Sequence, residues 1–116
     1  MVLTSQGAGT YWYLPPECFV MDENVRISNK VDVWSIGVIY YQMLYGRRPF
    51  GHGQSQDRLL SDNTMLNAKE VVFPEEPVVS PMGKDFIRCC LQADQLLRPS
   101  VAQLCKGTYV TSNSFS

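Results

Sequence analysis

The chain has 116 residues, of which 45% are hydrophobic and 11% aromatic, and its formal net charge is −1. This composition is typical of one small globular domain rather than a disordered chain. The balanced charge lacks the Lys and Arg cluster of a nucleic-acid-binding surface, so we expect no direct nucleic-acid partner. The most apolar stretch, residues 31–44, is too short and too often interrupted by polar residues to span a bilayer. The first residues also lack the pattern of a signal peptide.

The cysteines and the histidine do not have the spacing expected of a metal site. The four cysteines are Cys18, Cys89, Cys90 and Cys105, and no C-x-x-C pair occurs. A structural zinc site needs four ligands at recognisable spacing, so the pattern instead predicts reduced, mostly buried thiols in an intracellular protein. His52, the one histidine, lies between two glycines, which predicts a surface loop.

The N-terminal quarter predicts little regular structure. Residues 1–14 are interpreted as loop because glycines interrupt them. Pro15 and Pro16 predict a short helix to about Val20, since proline suits a first helical turn. Residues 21–29 are polar and irregular.

The next segment predicts the longest helix. Ser28 or Asn29 provides a cap, the helix runs to about Tyr45, and Gly46 ends it. Its β-branched and aromatic residues also fit a strand, but its length and terminal signals favour a helix. Apolar residues occur on nearly every face, so we expect other elements to surround this helix on all sides.

The segment that follows predicts short elements separated by loops. Residues 47–54 form a loop, and Ser55 caps a short helix to about Ser61. Residues 64–69 form one or two turns. Residues 70–79 contain two prolines and are expected to be extended.

Two more helices are predicted near the C-terminus. Ser80 and Pro81 open the first, whose apolar side carries Phe86, Ile87, Cys90 and Leu91. Ser100 and Gln103 have capping-box spacing, which predicts a last helix over residues 101–106. Residues 111–116 are small and polar and form a flexible tail. The chain as a whole is therefore predicted to be mainly α-helical.

Three motifs occur in the order found in protein kinases. Residues 9–17 read GTYWYLPPE, residues 30–38 read KVDVWSIGV, and residues 98–100 read RPS. Kinases carry G-T-x-x-Y-x-A-P-E at the end of the activation segment and D-x-W-S-x-G in the large helix behind it. Residues 1–110 therefore resemble the C-terminal helical subdomain of a eukaryotic protein kinase, truncated at the activation segment.

Within the kinases, the chain resembles the tousled-like serine/threonine kinases. The similarity is carried by residues 3–19, 27–56 and 71–80, including Trp12 and the Pro-Pro-Glu form of Ala-Pro-Glu. It implies transfer of the ATP γ-phosphoryl group to protein serine or threonine, with ATP and Mg²⁺ as cofactors of the full-length kinase. It also implies a nuclear location, histone-chaperone substrates, and roles in chromatin assembly and chromosome segregation. The coiled-coil oligomerisation region of that family is absent from this chain.

The resemblance assigns roles to several residues. Gly9, Thr10 and Tyr13 would belong to the substrate-binding loop, and the Gly-Thr pair favours serine or threonine substrates. Thr4 and Ser5 lie where activation segments are often phosphorylated, although any exposed loop hydroxyl has that property.

The resemblance also assigns structural roles. Glu17 and Arg98 would form an ion pair, since a guanidinium can bind a carboxylate through two hydrogen bonds. The alternative is two solvated surface charges with almost no effect on stability. Asp32, Trp34 and Gly37 would belong to the scaffold helix. A buried Asp32 would need hydrogen-bond donors, which the matching kinase residue receives from the catalytic loop.

The sequence lacks the motifs that carry kinase chemistry. No G-x-G-x-x-G loop, V-A-I-K lysine, H-R-D-x-x-x-x-N or D-F-G occurs, so we assign no catalytic residue and no ATP-binding or Mg²⁺-binding residue. The chain is expected to be inactive alone. It would be a truncated gene model, a short isoform or a partial sequence. The alternative function is a non-catalytic interaction fragment that keeps the substrate-facing surface.

Overall fold

The computed structural model of the protein describes residues 11–20 and 27–106, and within these ranges the regular structure is helical, with no strand. The expectation of a mainly α-helical chain is thus confirmed for these residues. Some predictions concern residues outside the described ranges. These are the possible phosphorylation sites Thr4 and Ser5, the substrate-binding residues Gly9 and Thr10, and the tail at 111–116.

Two short 3₁₀ turns begin the described structure. The first, Tyr11–Tyr13, falls where the sequence predicted only loop, and the Leu14 amide donates to the Tyr11 carbonyl at 3.2 Å. That prediction was wrong because glycine breakers act only on their neighbours, and positions 10–14 contain no glycine. The second, Pro16–Phe19, confirms the short helix opened by proline.

Helix α1 spans Lys30–Tyr45. It ends as predicted at Gly46, which has a φ of +70° and donates its amide to the Gln42 carbonyl at 2.8 Å. At the other end, Asn29 makes no side-chain cap, whereas the Ser28 hydroxyl accepts from the Lys30 amide at 3.2 Å. Ser28 is therefore the residue that satisfies a free amide at the start of the helix.

Only one side of α1 is buried among the described residues. Its buried positions are Val33, Trp34, Gly37, Val38 and Tyr41. The opposite side is open: Ile36, Ile39 and Met43 are 38%, 48% and 76% exposed. The expectation of a helix surrounded on all sides does not hold within this part of the chain, because the other described elements pack against one face.

The last three helices begin at the predicted caps. Helix α2 spans Gln56–Ser61, α3 spans Pro81–Cys90 and α4 spans Val101–Lys106. The Ser55 and Ser80 hydroxyls accept from amides three residues later, at 3.2 and 3.1 Å. The capping box is complete: the Gln103 side chain accepts from the Ser100 amide at 2.8 Å, and the Ser100 hydroxyl from the Gln103 amide at 3.1 Å.

The core lies where α1, α2 and α3 meet the turns that follow α2. Its buried members are Trp34, Val38, Tyr41, Leu59, Met65, Ile87 and Leu91. Residues 70–79 form no regular element, as predicted, and Val71 and Phe73 from this segment pack against the core. The four cysteines are free; all but Cys105 are buried, which confirms mostly buried thiols. No helix in the described residues is long and apolar enough to cross a membrane.

Candidate functional site

The segment Tyr11–Phe19 is held against the rest of the molecule by its aromatic residues. The Trp12 indole donates from Nε1 to the Gly51 carbonyl at 3.1 Å. The Arg48 guanidinium lies 4.1 Å from the centroid of the same indole, within the range of a cation–π contact. Gly51 has a φ of +73°, a conformation that favours glycine, and a Cβ there would lie 2.8 Å from Leu59.

Tyr13 binds α1 at two points. Its carbonyl accepts from the Ser35 hydroxyl at 2.7 Å, and its own hydroxyl donates to Gln42 Oε1 at 3.0 Å. The side chain is half-buried. This residue, assigned by resemblance to the substrate-binding loop, is therefore attached to the helix beneath through backbone and side chain.

Glu17 and Arg98 lie 81 positions apart in sequence and form a bidentate ion pair. Arg98 Nη1 donates to Glu17 Oε2 at 2.7 Å, and Nη2 donates to Oε1 at 3.1 Å. The side chains are 0% and 6% exposed for Arg98 and Glu17, so the solvated alternative does not describe this pair.

The remaining Arg98 hydrogen bonds connect two further parts of the fold. Nε and Nη2 donate to the Gln92 carbonyl at 3.1 and 2.7 Å, and Nη1 also donates to the Lys30 carbonyl at 3.1 Å. The guanidinium carbon lies 5.2 Å from the Trp34 ring centroid. One side chain thus joins the Pro16–Phe19 turn, the start of α1 and the segment after α3.

The ion pair also affects the neighbouring thiol. Burial, aided by the adjacent Glu17 charge and opposed by Arg98, raises the pKa of Cys18 to about 11. A thiol with this pKa is almost entirely protonated near neutral pH. Cys18 therefore behaves as a small apolar side chain at this site rather than as a nucleophile.

The three predicted scaffold residues of α1 have different surroundings. Trp34 is fully buried and stacks on Phe50, with ring centroids 5.7 Å apart and an interplanar angle of 18°. Its Nε1 has no hydrogen-bond partner among the described residues. Gly37 lies against α3, where a Cβ would be 2.6 Å from Cys90 Cβ. Asp32, considered in the sequence as a buried carboxylate, is instead exposed because it lies on the open side of α1.

Sequence reasoning missed the residues that hold the Tyr11–Phe19 segment from below. Ser35 and Gln42 receive no role from composition or capping, yet both bond to Tyr13. The available signal was their polarity within an otherwise apolar helix, since buried polar groups need partners. Arg48 and Gly51 were assigned only to a loop, and both contact Trp12.

No metal site is evident among the described residues. No group of three His, Cys, Asp or Glu side chains in these ranges could hold a metal ion. The one fully enclosed cation, Arg98, has its donors committed to protein oxygens. The contacts in this arrangement hold the Tyr11–Phe19 segment in a fixed position.

Comparison with known proteins identifies the class that this arrangement defines. Residues 2–110 match the family model described as "Protein kinase domain". The chain therefore belongs to the protein kinase domain family.

Individual relatives indicate a subfamily within the protein kinases. The chain is 62% identical over 111 residues, or 95% of its length, to serine/threonine-protein kinase tousled-like 2 of Homo sapiens, and equally so to that of Xenopus tropicalis. It is 56% identical over the same span to serine/threonine-protein kinase TOUSLED of Arabidopsis thaliana. These matches confirm the tousled-like resemblance. The chain spans 14% of the human relative and 16% of the other two.

Proposed function

We propose that this chain forms the substrate-facing helical part of a serine/threonine protein kinase that transfers the γ-phosphoryl group of ATP to protein substrates. In this role its own residues carry no chemical step. Instead they hold the segment that a protein substrate contacts, while residues of the kinase outside this sequence bind ATP and Mg²⁺. Gly9 and Thr10, which directly precede the fixed Tyr11–Phe19 segment, would face the substrate residue next to the phosphoacceptor.

The observation that carries the proposal is the attachment of the Tyr11–Phe19 segment at both ends. Trp12 and Tyr13 bond to the loop after α1 and to α1 itself. Glu17, at the other end, is held by a buried Arg98 with no free N–H. A segment fixed in this way presents a preorganised surface, which lowers the entropic cost of binding an extended peptide.

The finer biological role is proposed from the tousled-like relatives. We expect a nuclear protein whose substrates include histone chaperones and which acts in chromatin assembly and chromosome segregation. The alternative is a non-catalytic interaction fragment that binds the same substrates without phosphorylating them. The two roles differ in one measurable property, which is transfer of phosphate to a bound substrate.

The proposal is tested on the natural protein that contains this chain. Purified protein is supplied with Mg²⁺, radiolabelled ATP and peptide libraries in which the acceptor is serine, threonine or tyrosine. We expect transfer to serine and threonine and none to tyrosine. Transfer to tyrosine would contradict the proposed substrate class, and binding of peptides without transfer would favour the interaction fragment.

The 116-residue chain alone should neither bind Mg-ATP nor phosphorylate protein. The reason is that the glycine-rich loop, catalytic-loop and D-F-G motifs occur nowhere in its sequence. Calorimetric titration with Mg-ATP and a radiolabel transfer assay measure both properties, with Glu17→Ala as the control chain. Saturable micromolar binding, or transfer above that control, would refute the prediction.

A further inference from the structure

A basic cleft lies beside the Tyr11–Phe19 segment, between the loop after α1 and the segment 70–79. Its volume is about 380 Å³, and its lining includes Tyr41, Arg47, Arg48, Gly51, His52 and Pro74. Among the residues that the structure describes, no acidic side chain lines it. This concentration of positive charge contrasts with the whole chain, whose net charge is −1.

The two arginines have no carboxylate partner within residues 11–20 and 27–106, where the ion pairs involve Arg58, Arg88 and Arg98. Arg48 Nε is buried and has no hydrogen-bond acceptor in the same ranges. A buried N–H without an acceptor is unfavourable, and more so on a charged group. An anion in the cleft would offset the charge of this guanidinium, which no described carboxylate pairs.

Two contacts organise the cleft for an anion. The Arg48 guanidinium is stacked on the Trp12 indole at 4.1 Å, which restricts its rotamers before any ligand binds. The Arg48 amide donates to His52 Nδ1 at 3.3 Å. A neutral imidazole that accepts at Nδ1 carries its proton on Nε2, so His52 adds an N–H donor to the two guanidinium groups.

Tyr41 lines the cleft but offers it no hydrogen-bond donor. Its hydroxyl already donates to the Val72 carbonyl at 2.7 Å, which ties the segment 70–79 to α1 at the base of the cleft. Glu75 and Glu76 follow Pro74 in that segment and are exposed outside the lining. These two carboxylates partly offset the positive charge on this side of the cleft, so an acidic ligand is attracted only where it contacts the arginines directly.

We propose that this cleft binds an acidic side chain, phosphorylated or carboxylate-bearing, of the protein substrate, so that the kinase prefers serine and threonine sites near such a residue. The proposal rests on the proposed kinase function. The planar guanidinium fork of arginine can bind two oxygens of a phosphate or a carboxylate group at once. Because Arg48 also contacts Trp12, an occupied cleft would stabilise the segment that faces the phosphoacceptor.

The experiment uses the natural protein and a position-scanning serine peptide library in which one position at a time is alanine, glutamate or phosphoserine. We expect an acidic residue at one or more positions to raise kcat/KM roughly tenfold, in keeping with one hydrogen bond to a charged group at the weak end of the usual range. Arg47→Gln and Arg48→Gln should each lower that acidic-to-alanine ratio. Arg58→Gln is the control, because Arg58 is an exposed arginine outside the cleft that pairs with Asp62.

A separate binding measurement tests whether the cleft binds acidic peptides, even if no peptide is phosphorylated. Fluorescence anisotropy with labelled glutamate and phosphoserine peptides should show saturable binding that weakens with salt and in the Arg47→Gln protein. Tighter binding of phosphoserine than of glutamate assigns the cleft to phosphate, and equal binding assigns it to any acidic residue. The proposal is overturned if alanine peptides bind equally well, or if the acidic preference survives both cleft substitutions in proteins that melt like the wild type.

Discussion

Arg98 is the residue on which several parts of the fold depend. An enclosed guanidinium is costly unless its N–H groups are paired, and here they bond to Glu17 and to the Lys30 and Gln92 carbonyls. Such a pair adds little stability over an apolar substitute but is strongly destabilising when one partner is removed. Arg98 therefore serves mainly to fix where the Pro16–Phe19 turn lies.

Removal of that side chain should be far more harmful than removal of an exposed arginine. In the natural protein, Arg98→Ala leaves the Glu17 carboxylate buried and unpaired, and we expect a loss of roughly 3–5 kcal/mol in the free energy of unfolding. Arg58→Ala is the matched control: its pair with Asp62 is exposed and screened by solvent, so its loss should change the free energy of unfolding far less. Chemical denaturation measures both changes. Equal losses for the two variants would show that burial gives Arg98 no special role.

The buried thiols give a prediction with a defined pH dependence. Burial, with a smaller contribution from Cys89, raises the pKa of Cys90 from 9.0 to about 12, and Cys18 rises to about 11. Both groups favour the folded state while protonated, because the unfolded chain ionises them first. Their contribution is complete below pH 9 and is lost as the pH rises toward 12.

Thiol reactivity tests this assignment. At pH 8, a thiol-specific reagent should label the exposed Cys105 rapidly and the buried Cys18, Cys89 and Cys90 slowly. Denaturant should make all four cysteines reactive. Cys105→Ser is the control, since it should remove the rapid phase alone. Rapid labelling of Cys18 or Cys90 in the folded protein would contradict the burial described here.

At the scale of elements, the packing of α1 on α3 depends on the absence of a side chain at Gly37. A Cβ there would lie 2.6 Å from Cys90 Cβ and 2.9 Å from Leu91 Cδ2. Both neighbours are buried, so neither can move without disturbing the core. Glycine is therefore required in a helix that would otherwise favour alanine.

Gly37→Ala should destabilise the protein despite its higher helix propensity. We expect a loss of about 1–3 kcal/mol, the usual cost of overpacking a core. Gly83→Ala in α3 is the matched control, because a Cβ there would lie 3.0 Å from Val79 Cγ1 and 3.3 Å from Ser80 Oγ, which are longer distances than those at Gly37. Thermal melts should show a clear decrease for Gly37→Ala and a much smaller change for Gly83→Ala. A stabilised Gly37→Ala protein would mean that α1 and α3 pack less closely than described.

At the scale of the whole molecule, the exposed side of α1 is the main weakness of the isolated chain. Ile36, Ile39 and Met43 form a stripe along one face of the helix, with Asp32 one turn before it. An apolar stripe of this kind promotes association in water. The exposed position leaves Asp32 hydrated and so avoids the cost of burying a lone carboxylate.

We therefore expect the isolated chain to be poorly folded. It should show a helical far-ultraviolet circular dichroism spectrum, strong binding of an apolar dye and a broad, weakly cooperative melt. The substitutions Ile39→Lys and Met43→Lys should reduce dye binding and association while leaving helix content unchanged, because both side chains are exposed. A monomeric chain with a sharp melt and dispersed amide resonances would refute the prediction and strengthen the case for an independent interaction module.

The helix positions followed from the sequence because the signals that set them act over three or four residues. The Ser55, Ser80 and Ser100 caps and the glycine after α1 are local, and each is found where it was predicted. The Tyr11–Tyr13 turn was missed because its aromatic residues are held by distant partners.

The sequence alone determined the mainly helical class, the approximate starts of the four helices and, through its motifs, the kinase resemblance. Only the tertiary structure decided which side of α1 is buried, that Asp32 is exposed, and that Gly37 meets Cys90. It also brought Arg48 onto Trp12. The physical reason is range: capping and periodicity depend on neighbours in sequence, whereas burial and ion pairing depend on residues that only the folded chain brings together.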